Sequence, residues 1–330
     1  MHMADALLSP AVGGAMTAVS VATIAYAVKR ISKDGLDEKK IPMMGVMGAF
    51  VFAAQMINFT IPGTGSSGHI GGGVLLAALL GPFPALIVLA SVLLVQCLFF
   101  ADGGLLAYGC NVFNMGVCAC LLSYKIFYQP IAKMGLTRRN VLLASIVSVV
   151  LGLQAGSFGV VLETYLSGVA ELPFKSFLVL MQPIHLAIGL IEGVITASVL
   201  NFIQSARPEL LSSVAFETKL APHLSMKKVI APLLVLTALV GGGLSIFASA
   251  YPDGLEWSIE GITGSADIER AGGVYETMGG VIERTAFMPD YAFAGGEGAP
   301  IETATAGIVG SVITLAIAGG VGFAVAKIKK

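Results

Sequence analysis

Met1 and His2 together offer a metal ion three nitrogens: the α-amine of Met1, the main-chain nitrogen of His2 and the His2 imidazole. The two small chelate rings that result suit a planar set of nitrogen ligands, which the tetragonal preference of Ni(II) or Cu(II) rewards. A fourth donor has to come from elsewhere, and only His69, His185 and His223 remain. A chance histidine behind an initiator methionine has the same appearance, so further residues must decide.

His69 follows Ile61-Pro62-Gly63-Thr64-Gly65-Ser66-Ser67-Gly68 and precedes Ile70-Gly71-Gly72-Gly73. Glycines let a backbone adopt positive φ and approach a site closely, so His69 is the natural fourth donor, or else an ordinary loop histidine. His185 and Glu192 lie seven residues apart, two helical turns, and share a face. An ionisable residue inside a span normally faces the bundle interior or a cavity, which suits a structural contact, a coupling element or, with Glu163, a proton relay. Asn111 and Asn114, with Gln96 and Asp102 near the same level, are candidates to orient a ligating histidine or simply to tie helices together. His223 falls in a polar stretch and reads as a bystander. No GxxxxGK[ST] phosphate loop occurs, so any use of ATP belongs to another polypeptide.

These residues must be positioned by a membrane bundle. Of the 330 residues, 56% are hydrophobic and 12% charged, against roughly 25% charged in soluble domains. Apolar runs long enough to span occur at about 10–28, 42–59, 84–101, 105–128, 140–166, 175–204, 228–250 and 304–326. Basic clusters at Lys29–Lys40, Lys125–Arg139, Arg207–Lys228 and Lys327–Lys330 are expected to face the cytoplasm. An odd number of crossings is then needed between residue 60 and Lys125, and the short run Gly71–Gly81 supplies it. The expectation is an all-α polytopic bundle of about nine transmembrane segments, seven plus two at the C-terminus, with the N-terminus outside and the C-terminus inside. Residues 1–204 form the main unit, 205–227 a cytoplasmic linker, and 228–330 a two-span unit. The latter's loop, 251–303, carries ten acidic and two basic residues and belongs outside. The first apolar run lacks a basic n-region and ends in Lys29-Arg30, so the N-terminus is expected to survive uncleaved. The four cysteines lie in apolar stretches without zinc-site spacing. Ala49 and Ala53, flanked by Gly45 and Gly48, form a small-xxx-small face for close helix approach, whether to a neighbouring helix or to another subunit.

Met1-His2, the Ser66-Ser67-Gly68-His69 loop, Gly81-Pro82, the stretch Tyr108-Gly109-Cys110-Asn111-Val112-Phe113-Asn114-Met115-Gly116 and His185-Leu186-Ala187-Ile188-Gly189-Leu190-Ile191-Glu192-Gly193 resemble the CbiM/NikM family over about residues 1–204. These are substrate-binding (S) components of energy-coupling factor (ECF) transporters for cobalt and nickel. The Pro252-Asp253-Gly254-Leu255-Glu256-Trp257 region resembles the small NikN-type accessory component, here fused to the main one. The resemblance implies Ni2+ or Co2+ as transported substrate, without an organic cofactor, held by the Met1 amine, His2 and His69. It implies no catalysis by this chain. It also implies partners: a transmembrane coupling subunit, for which Ala49 and Ala53 become contact candidates, and a pair of cytoplasmic ATPases. Ser67 joins Asn111, Asn114, His185 and Glu192 as residues expected to support or couple the site, in the inner (plasma) membrane. The chain departs from the family's Met-His-Ile-x-x-Gly-Phe start, with Met3, Ala6 and Leu7 at those places; a Met3 sulfur facing the site would suit Cu(I). Two other readings remain, an ion-gradient-driven transporter using His185, Glu192 and Glu163, and a membrane enzyme. The enzyme would need more ligands and an open, water-bearing position.

Overall fold

The apolar runs fold as helices because a membrane interior leaves backbone N–H and C=O groups no partner but one another. In the computed structural model, which describes residues 1–220, 226–293, 295–296 and 299–328, seven helices are long and apolar enough to cross a membrane. They are α1 (Pro10–Asp34), α4 (Pro82–Phe100), α5 (Tyr108–Lys133), α6 (Arg138–Ser167), α7 (Phe174–Ala206), α9 (Lys227–Phe247, its last turn tightened) and α12 (Pro300–Lys327). The long middle of α5, Val112–Tyr128, winds as a wide π-helix. Two of the nine expected segments are shorter: α2 (Lys40–Gln55) and α3 (Gly73–Leu80).

These two short helices traverse the same depth in opposite directions. Gln55, at the end of α2, donates to the Gly71 carbonyl (2.9 Å), and Lys40, at its start, reaches the Leu80 carbonyl (3.4 Å). Eight helical residues rise only about 12 Å, and the non-helical stretch Ile70–Gly72 makes up distance at one end. At the other, α3 stops at Gly81 (φ +95), a backbone setting that suits glycine, and Pro82 starts α4. Every residue of α3 is buried.

Between α2 and α3 lies an antiparallel two-stranded hairpin, β1 (Phe59–Ile61) and β2 (Ser66–Gly68), with Thr60 opposite Ser67. Small residues set the closest helix contacts. A Cβ on Gly307 of α12 would stand 2.1 Å from the Gly241 carbonyl of α9, and one on Gly45 of α2 would stand 2.8 Å from the Leu315 carbonyl of α12. Helices α9 and α12 thereby close over α2. Ala49 and Ala53 are fully buried there, with the Ser311 hydroxyl donating to the Ala49 carbonyl (3.3 Å). The face considered for a coupling subunit is thus occupied by the chain's own helices. Three shorter helices complete the order: α8 (Pro208–Ala215), α10 (Gly254–Thr263) and α11 (Val274–Thr285). His223, Lys329 and Lys330 lie outside the described residues.

Candidate metal site

The N-terminal segment is threaded into the bundle and held by main-chain bonds. Met3 is fully buried; its N–H donates to Asn111 Oδ1 (2.8 Å), and its carbonyl accepts from Asn111 Nδ2 (3.2 Å) and from Gly104 N (2.9 Å). Asp5 Oδ1 accepts from Ala107 N (2.9 Å). A 3-10 turn at Asp5–Leu7 then buries Leu7 and Leu8 and leads into α1, whose N-cap Ser9 accepts from Val12 N (3.3 Å). Two residues in one rigid place can present main-chain and side-chain nitrogens together; a frayed terminus could not.

His69 meets that terminus 68 positions away. The Met1 ammonium donates to His69 Nε2 at 3.3 Å, and the His2 and His69 rings stack with centroids 5.2 Å apart and planes 12° from parallel. His69 Nδ1–H donates to the Ile70 carbonyl (3.1 Å), which leaves Nε2 as the bare nitrogen facing Met1. Burial, then the Met1 ammonium, holds both imidazoles down to about 3, so both are neutral at pH 7. His2 Nδ1–H therefore donates to Asp102 Oδ1 (3.1 Å), and its buried Nε2 has no hydrogen-bond partner. Asp102, raised by its own burial, accepts from the Tyr291 hydroxyl (2.5 Å). The Met1 ammonium also pairs with Asp253. Burial alone would raise the Asp253 carboxyl, but the Met1 ammonium outweighs it and holds the group well below the usual carboxylate range.

The three residues thus meet, but the His2 imidazole is not turned to the amine. A small chelate ring from His2 needs Nδ1, and here Nδ1 is turned to Asp102 while the rings stack. Rotation of the His2 side chain would bring Nδ1 round to the amine. Among the described residues, no group of three or more His, Cys, Asp or Glu side chains is spaced to hold a metal ion; the set here depends on the amine and main chain of residues 1 and 2.

Residues 2–210 match the family described as the cobalt uptake substrate-specific transmembrane region, CbiM, and residues 227–327 match the PDGLE domain. The chain belongs to the CbiM family. It is similar to a fused nickel transport protein, NikMN, of Rhodobacter capsulatus, at 29% identity over 96% of this chain and 95% of that one. A chain of Archaeoglobus fulgidus, provisionally named a fused nickel transport protein NikMN, is 31% identical over 99% of this chain and 98% of its own length. The cobalt transport protein CbiM of Sorangium cellulosum is 30% identical over 68% of this chain and all of that one. A crystal structure of a truncated transition metal transporter superimposes with a TM-score of 0.55 at 32% identity, over 62% of this chain and 99% of that one. The chain is accordingly a multi-pass membrane protein of a nickel and cobalt transport family, with NikMN-type fused relatives.

Around the CbiM-type N-terminus, the other singled-out residues take distinct places. Asn111 clamps Met3, one residue beyond His2. Asn114 donates to Glu163 (2.7 Å) and lies 3.8 Å from the Met3 sulfur, so that thioether packs against an amide. Ser67 turns toward the PDGLE segment, donating from Oγ to Tyr251 O (2.7 Å) and from N to Pro252 O (2.8 Å). Glu192 accepts from Gly72 N (2.9 Å) and so anchors the turn that carries His69. His185 Nδ1–H donates to the Met181 carbonyl (2.7 Å), while its buried Nε2 has no partner and lines a cavity of about 40 Å³ with Met1, His69, Glu192 and Asp253. His185, Glu192 and Glu163 bond to three different partners and not to one another. The sequence reading names neither Asp253 nor Tyr291 as a site residue and does not pair Asp102 with His2. A signal for Asp253 existed: Asp253 with Glu256 three places on reads as a capping box ahead of an apolar helix.

Proposed function

We propose that this chain captures Ni2+ or Co2+ as the substrate-binding component of an energy-coupling transporter, and that separate subunits hydrolyse ATP. The ion would be held by the Met1 amine, the His2 main-chain nitrogen and imidazole, and His69 Nε2. The observation that carries this is the 3.3 Å approach of the Met1 amine to His69 Nε2 with the His2 ring stacked alongside. Nitrogen donors suit both ions and do not rank them.

In this reading the N-terminus, the His69 loop and the acidic 251–303 segment face outside the plasma membrane and the basic loops face inside. Residues 1–204 form the capturing unit and 228–330 the NikN-like accessory unit, joined by the linker 205–227. Partners are a transmembrane coupling subunit and two cytoplasmic ATPases; the chain itself performs no catalysis and takes no organic cofactor. Because Ala49 and Ala53 are covered by α9 and α12, a coupling subunit meets this chain elsewhere or displaces those helices.

The test is metal titration of the full chain, purified with a C-terminal tag and its own Met1 amine. About one tightly bound ion is expected by the ligand count, lost on N-terminal extension, in His2→Ala and in His69→Ala. Full affinity in an N-terminally extended chain refutes the assignment.

A further inference from the structure

The C-terminal segment reaches the metal-binding cluster with one charged side chain. The Met1 ammonium donates to Asp253 Oδ2, and the two side chains are only 4% and 15% exposed. The carboxylate is fixed from behind. Its other oxygen accepts from Leu255 N (2.7 Å) and Glu256 N (2.9 Å), and Asp253 N donates to Glu256 Oε2 (2.8 Å). This reciprocal capping starts α10 and leaves Asp253 little freedom. Helix α10 is in turn docked on the His69 loop: Trp257 Nε1 donates to the Thr64 carbonyl (3.0 Å), and the Pro252 carbonyl accepts from Ser67 N. None of the proposed nitrogen donors comes from this segment, so donor supply does not explain the contact.

We infer that Asp253 is the built-in counter-charge of the capture site, a carboxylate that neutralises whichever cation stands at the Met1 amine. That cation is the ammonium in this structure; a captured divalent transition-metal ion takes the same place. The inference rests on the reading that Met1, His2 and His69 hold the ion. An amine and two imidazoles bring no negative charge, and a main-chain nitrogen brings at most one. A divalent ion in that set therefore keeps an uncompensated positive charge, which a largely buried site tolerates poorly. Asp253 supplies the missing charge, already oriented. Asp102 is placed differently: it is held by the Tyr291 hydroxyl and faces the His2 ring, whereas the Met1 ammonium pairs with Asp253. The PDGLE segment thus contributes to the affinity of the site as a positioning and charge-matching element, beyond covering it.

The test compares the full-length wild type, Asp253→Asn and Asp253→Glu, each with a native N-terminus, by calorimetric titration with Ni2+ and Co2+. Asparagine caps a helix as well as aspartate, so Asp253→Asn removes charge while leaving the start of α10 intact; thermal midpoints taken alongside check this. The affinity of Asp253→Asn is expected to fall by at least about tenfold, a floor set well beneath the cost of an unpaired buried charge. Asp253→Glu should recover most of the loss, which a purely shape-based role would not allow. Equal binding by wild type and Asp253→Asn, or a loss that the glutamate does not reduce, overturns the inference alone. A wild-type chain that takes up neither ion refutes the capture reading, and the inference with it.

Discussion

Asn111 carries the N-terminal turn, and its replacement tests whether the position of residues 1 and 2 is built from main-chain bonds. Its amide satisfies both polar groups of Met3 at 2.8 and 3.2 Å, in a place where Met3 is fully buried and Asn111 is 4% exposed. The Met3 carbonyl keeps a second donor, Gly104 N at 2.9 Å, so Asn111→Ala fully orphans only the Met3 N–H and weakens the carbonyl. An orphaned buried group costs about 1–3 kcal/mol, and roughly 2 kcal/mol is taken for the pair. At 1.4 kcal/mol per decade, that is about a 30-fold loss in metal affinity. The loss falls on the ordering of the tail, because Leu7 and Leu8 remain buried and still anchor the entry to α1. Calorimetric titration of Asn111→Ala with Ni2+ should show weaker binding at unchanged helix content by circular dichroism. Unchanged affinity would mean that the amide clamp does not position the donors, and the reasoning would fail.

Further outcomes follow from the same geometry. Glu192→Ala leaves the Gly72 N–H without its buried acceptor and should lower metal affinity about tenfold through the His69 turn, at about 1–3 kcal/mol per orphaned group, whereas Glu192→Gln, which keeps an oxygen there, should retain most of it; equal titrations for the two variants would count against that role. Gly307→Val places a Cβ 2.1 Å from the Gly241 carbonyl, and the forced separation of α9 and α12, about 1–3 kcal/mol, should exceed the roughly 0.5–1 kcal/mol gained by removing a helical glycine, so a lowered thermal midpoint is expected. Acid should also loosen the fold. His2 and His69, held at about 3 by burial and the Met1 ammonium, stay neutral while an unfolded chain takes up protons below about 6.5. Their contribution is therefore complete above that pH and is lost progressively toward 3. Asp102, raised by burial, opposes this. The fall in thermal midpoint between pH 7 and 5 should shrink in a His2→Gln, His69→Gln double variant.

The membrane architecture was legible because a span must satisfy its own backbone and so has to be a continuous apolar helix. Even the short Gly71–Gly81 segment was legible as an apolar helix, which runs from Gly73 to Leu80. The meeting of Met1, His2 and His69 was legible for a similar reason. An amine, a main-chain nitrogen and an imidazole are adjacent by covalent geometry, and a glycine-rich loop with a histidine is the kind of segment that can approach them closely. Helical periodicity went less far. It put His185 and Glu192 on one face, but a two-turn separation along α7 lets one bond to Met181 of its own helix while the other anchors Gly72.

Asp253 and Ala49 show what sequence pattern leaves out. The capping box announces a helix start at Asp253 but says nothing of the second oxygen, whose partner lies 252 positions away. The small residues of α2 announce close approach, yet only packing reveals that α9 and α12 make it. These two contacts belong to one C-terminal segment. Its spans α9 and α12 sit on α2, and its PDGLE turn sits on the Met1 amine, so a displacement of α9 and α12 from α2 pulls on the segment that carries Asp253. Because α2 ends at Gln55, which bonds to the Gly71 carbonyl next to the Glu192-anchored turn, the same movement reaches the His69 loop from its other side. Both halves of the proposed donor set, the Met1 end and the His69 loop, are therefore mechanically tied to how the C-terminal helices sit on α2, which gives the chain a physical route for linking helix packing to the proposed metal site.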